Sequence, residues 1–191
     1  LLKEISSTGA KTKSVFEGAI ADLHTTVVTS LLHDNEFHAG LAIDIMDRNL
    51  YERANDCRWW ALRSQFRELL AKPQLDEHDT RAIHAVLAHI NSLYTVYDNL
   101  VLFDRSGRVI AVSNPEQQSV RGQMLNEEWV RETLILADSQ SYTVSPFATT
   151  PHYQGRHTYI YGAPIHNNGK VVGGIGIVFD SAPQFEAMLM D

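Results

Sequence analysis

Four side chains near the end of the sequence are of types that can hold a small polar ligand: His157, Tyr159, Tyr161 and Asp180. They lie in "HTYIYGAPIHNNGKVVGGIGIVFD", where two apolar, alternating runs flank Asn168-Gly169. That pair is preferred at the centre of a type I′ hairpin turn. With those two residues as the loop, His157 is expected opposite Asp180, Tyr159 opposite Val178, Tyr161 opposite Gly176, and Ala163 opposite Gly174. Opposed residues share a face. The other face would carry Thr158, Ile160, Ile165, Ile175, Ile177 and Phe179, and bury itself on helices. Glycines inside a strand often mark the close approach of a ligand or another backbone, so the first face is expected to be hollow. Two alternatives stand beside this reading. The glycines can simply let a ring lie flat across the partner strand, and Asp180 can cap whatever follows. A bulge near Pro164, which lacks an amide hydrogen, would slip the register and send Asp180 and the tyrosines to opposite faces.

Other chemistry is less well supported. Cys57 is the single cysteine, which excludes an internal disulfide and a multi-thiolate metal site. It falls on an apolar helical stripe with no base beside it, as a structural thiol does. The nine histidines include His33 and His38, then His84 and His89, each pair five apart and so on different sides of a helix. His152 and His157 bracket a loop, but no third metal ligand can be named. No metal and no cofactor is expected. No phosphate cradle, dinucleotide fingerprint, nucleophile elbow or zinc-protease signature is present, so an enzyme is not expected.

The chain has 191 residues, 44% hydrophobic and 20% charged, with 16 basic and 23 acidic residues and a net charge of -7. This is an ordinary globular composition, and the acidic balance argues against a nucleic-acid or anionic-lipid surface. No apolar run is long enough to cross a membrane. The sequence begins without Met, which predicts a piece of a longer protein; any membrane attachment is expected in segments outside it.

The elements that must position these residues change period midway. From about Lys13 to Ala71 there is no proline, and Ile43, Met46, Leu50, Ala54, Cys57 and Ala61 form one helical stripe. Arg48 and Glu52 form an ordinary exposed pair, and Trp59 and Trp60 read as an anchor onto the sheet or a second subunit. After "KPQ", a second helix carries Ile83, Val86, Leu87, Ile90, Leu93 and Tyr94 on its apolar stripe. "NLVLFDRSGRVIAVSN" then reads as two strands joined by the turn Asp104 to Gly107. A short helix at "NEEWVRETLILA", a strand at "QSYTVS", a loop containing Pro146 and Pro151, and the hairpin follow. The predicted fold class is α+β, with a long N-terminal helix packed on an antiparallel sheet. Residues 1–75 are expected to form a helical lead-in and 76–191 the sheet module.

These elements in this order resemble a Cache domain, the PAS-like extracytoplasmic sensor module of bacterial chemoreceptors, histidine kinases and cyclic-dinucleotide enzymes. The pieces that carry the resemblance are "YDNLVLFDRSGRVIAVSNP", the tryptophan of "NEEWVRETL", "YTVSPF" and "YIYGAPIHNNGKVVGGIGIVFD", over about residues 80 to 180. The resemblance implies a ligand between the sheet and the preceding loops, touching Trp129, Tyr142, Ser145, Phe147, His157, Tyr159, Tyr161 and Asp180. Amino-acid-binding members carry an Arg-x-Trp-Tyr pattern; here Glu127 stands two before Trp129 and Val130 follows it, so no arginine is assigned. Asp180 is the position that matches. The expectation is a periplasmic sensor domain of a membrane receptor, taking an organic acid, amine or amino acid and able to dimerise through its long helix. The alternative is a docking or dimerisation module whose pocket is filled by its own aromatics.

Overall fold

The structure is a computed structural model that describes residues 2–190, and side chains as far as residue 187. Helix α1 runs Leu2–Ala61, and the chain forms two compact units, Leu1–Ile45 and Met46–Asp191. In the first unit residues 2–41 are all exposed, among them Phe16, Ile20, Leu23, Val27 and Leu31. No helix among the described residues is long and apolar enough to cross a membrane.

The second unit begins with the last four turns of α1. Its expected stripe is buried from Ala54 through Cys57 to Ala61, with Met46 and Leu50 half-buried, whereas Ile43 is exposed. The helix stops at Ala61, ten residues short of the expected end, and a separate α2 follows at Ser64–Leu70. Helix α3 (Glu77–Leu93) opens with a reciprocal cap: the Asp79 amide donates to Asp76, and the Asp79 side chain accepts from the Asp76 amide. Such a cap is worth about 1 kcal/mol. Ile83, Leu87 and Ile90 bury its apolar face, while Leu93 is left exposed beyond it.

The sheet has five antiparallel strands in the order β2-β1-β7-β6-β3. They are β1 (Tyr97–Asp104), β2 (Val109–Val112), β3 (Thr143–Val144), β6 (Ile160–Asn167) and β7 (Lys170–Phe179). Two short strands, β4 (Ala148–Thr149) and β5 (His157–Thr158), pair with each other apart from it. Helix α4 (Glu128–Ile135) covers one face of the sheet and α5 (Ser181–Met190) follows β7. At the hairpin turn Asn168 and Gly169 both have positive φ, 49° and 75°, as a type I′ turn requires.

The core has two halves, one on each face of the sheet. On one face Leu100, Leu102, Tyr161, Ala163, Ile175 and Ile177 pack with α1, α2 and α3. On the other, Val101, Phe103, Ile160 and Val178 pack with Trp129, Val130 and Tyr153.

Candidate ligand site

The register of the hairpin decides what can form a site. Near the turn the expected pairing holds, with Asn167 opposite Lys170 and His166 opposite Val171. A bulge then leaves Val172 unpaired, so that Ile165 lies opposite Gly173, Ala163 opposite Ile175, Tyr161 opposite Ile177 and Ile160 opposite Val178. This overturns the expected pairs of Tyr159 with Val178, Tyr161 with Gly176 and Ala163 with Gly174. The physical reason is that one extra residue in one strand exchanges the faces of everything beyond it. Tyr161 therefore sits with Ile175 and Ile177 on the face that packs on the helices, and Ile160 on the opposite one.

The glycines are occupied by the protein itself. A Cβ on Gly176 would stand 2.6 Å from Cη2 of Trp129, and one on Gly174 would stand 2.5 Å from Cζ of Phe103. On Gly162 it would meet Oγ1 of Thr143 at 2.6 Å. The alternative reading, rings and side chains lying flat across the strand, is what the structure shows.

The eight expected contact residues consequently do not form one site: Phe147, His157, Tyr159 and Tyr161 make a chain of ring contacts, apart from Trp129. Trp129 is buried against Gly176, edge-on to Phe103 and His152, and its Nε1 has no hydrogen-bond partner among the described residues. Asp180 follows β7 and accepts a short hydrogen bond from the hydroxyl of Tyr153. Tyr161 lies in the helix-side core, and Tyr159 packs against that core. Tyr142 is exposed, with the Arg58 guanidinium 5.5 Å from its ring centre. Ser145 is spent on β6: it donates its amide to Ile160 O and accepts the Ile160 amide on Oγ, each at 2.9 Å. Phe147 and His157 stack on each other at 5.6 Å between centroids, and Phe147 also touches Tyr159 and Phe185. His157 pairs with Thr149 rather than facing Asp180. Of the tryptophan pair, Trp60 is buried edge-on to Tyr94 and Tyr97, while Trp59 is 73% exposed.

What converges on the Trp129 side is a polar network that the sequence reading missed, centred on Asp98, Asn99, Gln117, Tyr153 and Arg156. A second bulge, between Tyr97 and Asn99, opens β1, and a bulge can re-aim a side chain. Asn99 is fully buried. Its Oδ1 accepts from the Ser113 amide and hydroxyl and the Asn114 amide, and its Nδ2 donates to Gln117. Gln117 in turn donates to Asp98 at 2.9 Å and to the His152 carbonyl at 3.1 Å. The chain between β2 and β5 is thereby pinned over this end of the sheet. Tyr153, wholly buried, carries the Arg156 guanidinium 3.7 Å from its ring centre, and Arg156 reaches Asp98 at 3.8 Å.

The electrostatics are unbalanced. Burial first, and the neighbouring Asp180 carboxylate second, hold the Asp98 carboxyl above its usual range. Burial, then the bond to Asp180, pushes the Tyr153 hydroxyl up, so it remains a donor. Among the described residues Asp98 has one cationic partner, Arg156, whose side chain is 47% exposed. To one side, the His152 ring meets Glu127 at 2.8 Å, and that bond lowers the Glu127 carboxyl. On the far side of the molecule Asp76, His78 and Asp79 bring possible metal-ligand atoms within 4.8 Å of one another. Both Asp79 oxygens already accept from Lys72 there. A signal for the missed network was present in "YDN" at the head of an apolar strand: two polar residues where alternation predicts one.

No protein-family model matches the chain, and no curated protein sequence matches it. Solved structures do. The Vibrio cholerae histidine kinase DctB sensor domain is similar with a TM-score of 0.72 at 17% identity, over 85% of this chain and 60% of that one. The chain therefore spans less than two thirds of that chain's length. The Escherichia coli DcuS sensor domain matches over 72% of this chain and 95% of its own, with a TM-score of 0.52 and 14% identity. The ligand-binding domain of the Campylobacter jejuni chemoreceptor Tlp3, solved with 4-methylisoleucine, matches over 77% and 58%, with a TM-score of 0.55 and 15% identity. The fold is the PAS-like fold of Cache-type extracytoplasmic sensor domains.

Proposed function

We propose that this PAS-like domain is the ligand-sensing part of a bacterial transmembrane signalling receptor, and that it takes a small metabolite bearing a protonated amine. One observation carries the reading: Asp98 and Asp180 are linked through Arg156 and Tyr153, and among the described residues the half-exposed Arg156 is the one cation paired with Asp98, at 3.8 Å. Burying a carboxylate costs free energy that the neutral donors Gln117 and Tyr153 offset only in part, and an ammonium group placed between the two would offset more of it. Trp129 Nε1 adds an unpaired donor on the same face for an acceptor on the ligand. Ligand contact is thus assigned to Asp180 and Trp129 with Asp98, Tyr153 and Arg156. Tyr142, Ser145, Phe147, His157, Tyr159 and Tyr161 lie outside this cluster. The shared fold supports a sensor, and the amino-acid complex of the Tlp3 domain supports a small ligand.

The signal would leave through α5. The Tyr153 hydroxyl donates to Asp180 and accepts the Ala182 amide at 3.3 Å, while Ser181 Oγ donates to the His157 carbonyl at 2.6 Å. The Asp180 amide donates to the Val96 carbonyl at 3.0 Å. An amine recruiting Asp180 competes with Tyr153 and so loosens the bond that holds the first turn of α5. A ligand shifts such an equilibrium only by its differential affinity for the two states. Homodimerisation through the long helix fits the exposed Phe16, Ile20, Leu23 and Val27 of the first unit, spaced by three and four.

The test is a thermal-shift screen of the chain against amines, amino acids and organic acids, with calorimetry of the hits on wild type and Asp180→Ala. One-site binding of an amine that Asp180→Ala abolishes is expected. An organic acid that binds equally well to Asp180→Ala would remove the reading.

A further inference from the structure

The geometry points to a second binding surface at the opposite end of the sheet, fitted to an extended acidic segment of a partner protein. Asp98 and Asp104 lie at opposite ends of strand β1, six residues and roughly 20 Å apart, so this surface is separate from the network above. Two clefts, of ≈ 600 Å³ and ≈ 720 Å³, meet there and share Leu70, Lys72, Pro73 and Asp104. Val109 and Ile110 line the first, Val171 and Val172 the second. Both thus carry aliphatic patches within a largely polar lining, and one ridge crosses them.

The rim is cationic although the chain as a whole carries -7. Arg121 borders the first cleft, and Arg105 and Lys170 the second. All three are exposed, and none forms an ion pair among the described residues. The single carboxylate in the lining, Asp104, is committed to its own turn. Its Oδ1 accepts the Ser106 amide at 2.7 Å, the Ser106 hydroxyl at 2.6 Å and the Arg108 amide at 3.1 Å. Lys72 is held by Asp79 at 2.8 Å. Three cations without ion-pair partners among the described residues, at or beside three separate turns around these aliphatic patches, complement carboxylates presented at intervals. None of the buried, unpartnered polar atoms of the described residues lines either cleft, so nothing there is built to orient a small molecule. An extended chain crossing the ridge, with apolar side chains down and carboxylates out to the rim, uses all of it.

The experiment is fluorescence anisotropy of a labelled decapeptide of alternating glutamate and alanine, titrated with the full chain at low salt and then with added NaCl. Binding that weakens with salt is expected, with affinity about tenfold or more lower in R105E/R121E/K170E. The control K3E/K11E/K13E makes the same change of net charge at exposed positions of the first unit, and its affinity should stay within about twofold of wild type. Absence of binding at low salt, or an equal loss in both triple variants, would overturn the proposal. So would displacement of the peptide by citrate at equal concentration, which would make this a small-anion site.

Discussion

The two faces of the central sheet are built from the same strands yet solve opposite problems. On the helix side, Tyr161, Ala163, Ile165, Ile175 and Ile177 meet α1, α2 and α3 in a core of apolar contacts. Its buried thiol is raised by burial, and it donates to the carbonyls of Tyr161 and Ile175 at 3.4 and 3.6 Å. On the α4 side, the small residues Gly174 and Gly176 let Phe103 and Trp129 lie directly on the strand, and the end of that face is closed by hydrogen-bonded polar groups. The helix face is held mainly by apolar burial, with Arg53 over the Tyr97 ring and the Tyr97 hydroxyl donating to Asp56, the other by burial plus a larger network that must stay satisfied. The ligand proposed above would act on the second because hydrogen bonds exchange partners, whereas close-packed side chains cannot do so without opening a void.

The harshest way to break this comparison is Gly176→Val, which drives a side chain into the Trp129 ring. It should destabilise the domain by about 3 kcal/mol in urea denaturation. In a Trp129→Ala background the same change should cost much less, and equal costs in both backgrounds would show that the two do not meet. Next, one substitution can be made on both faces. Tyr153→Phe loses the bond to Asp180 and the acceptor for the Ala182 amide, and should cost about 1–2 kcal/mol. Tyr161→Phe, held by packing, should change stability by less than about 0.5 kcal/mol. Amide hydrogen exchange at Ala182 should rise in the first and not in the second.

Smaller effects separate the charges. The Asp98 carboxyl is held up by burial and by Asp180, so its ionised form weakens the fold at neutral pH and the cost is relieved as pH falls through its folded value. Asp98→Asn should therefore raise the melting temperature at pH 7 by roughly 2 °C, with the gain shrinking towards about pH 4. Glu127 has the opposite sign. Its carboxyl is lowered by the bond to His152, so its contribution is present above about pH 4.3 and lost as pH falls through the lower folded value. Glu127→Gln should cost about 0.5 kcal/mol at pH 7, a difference that thermal melts should find erased in acid.

Most of the element order was legible, because each element carries its own periodicity or turn chemistry. The Asn168-Gly169 turn, the Asp104 to Gly107 turn and the stripe of α3 through Ile83, Leu87 and Ile90 are all local signals. The break at Leu62 and Arg63 was not legible, since both residues suit a helix. Nor was α5, whose short sequence "SAPQFEAMLM" carries little pattern. Of the residues in the proposed site, the sequence pointed to Asp180 and Trp129, while Tyr153 and Arg156 were passed over as loop residues. Nothing local in "PHYQGR" says that Tyr153 will be wholly buried 27 positions from its acceptor.

The sequence by itself determined that the chain combines helices with an antiparallel sheet and carries a tight Asn-Gly hairpin, because periods and turn preferences are written within a few residues. Only the tertiary structure decided which residues share a face. One unpaired residue, Val172, moves Tyr161 into the helix-side core and leaves Asp180 to Tyr153. The bulge that sets this depends on how neighbouring strands and the helices covering them fit, which no local stretch encodes.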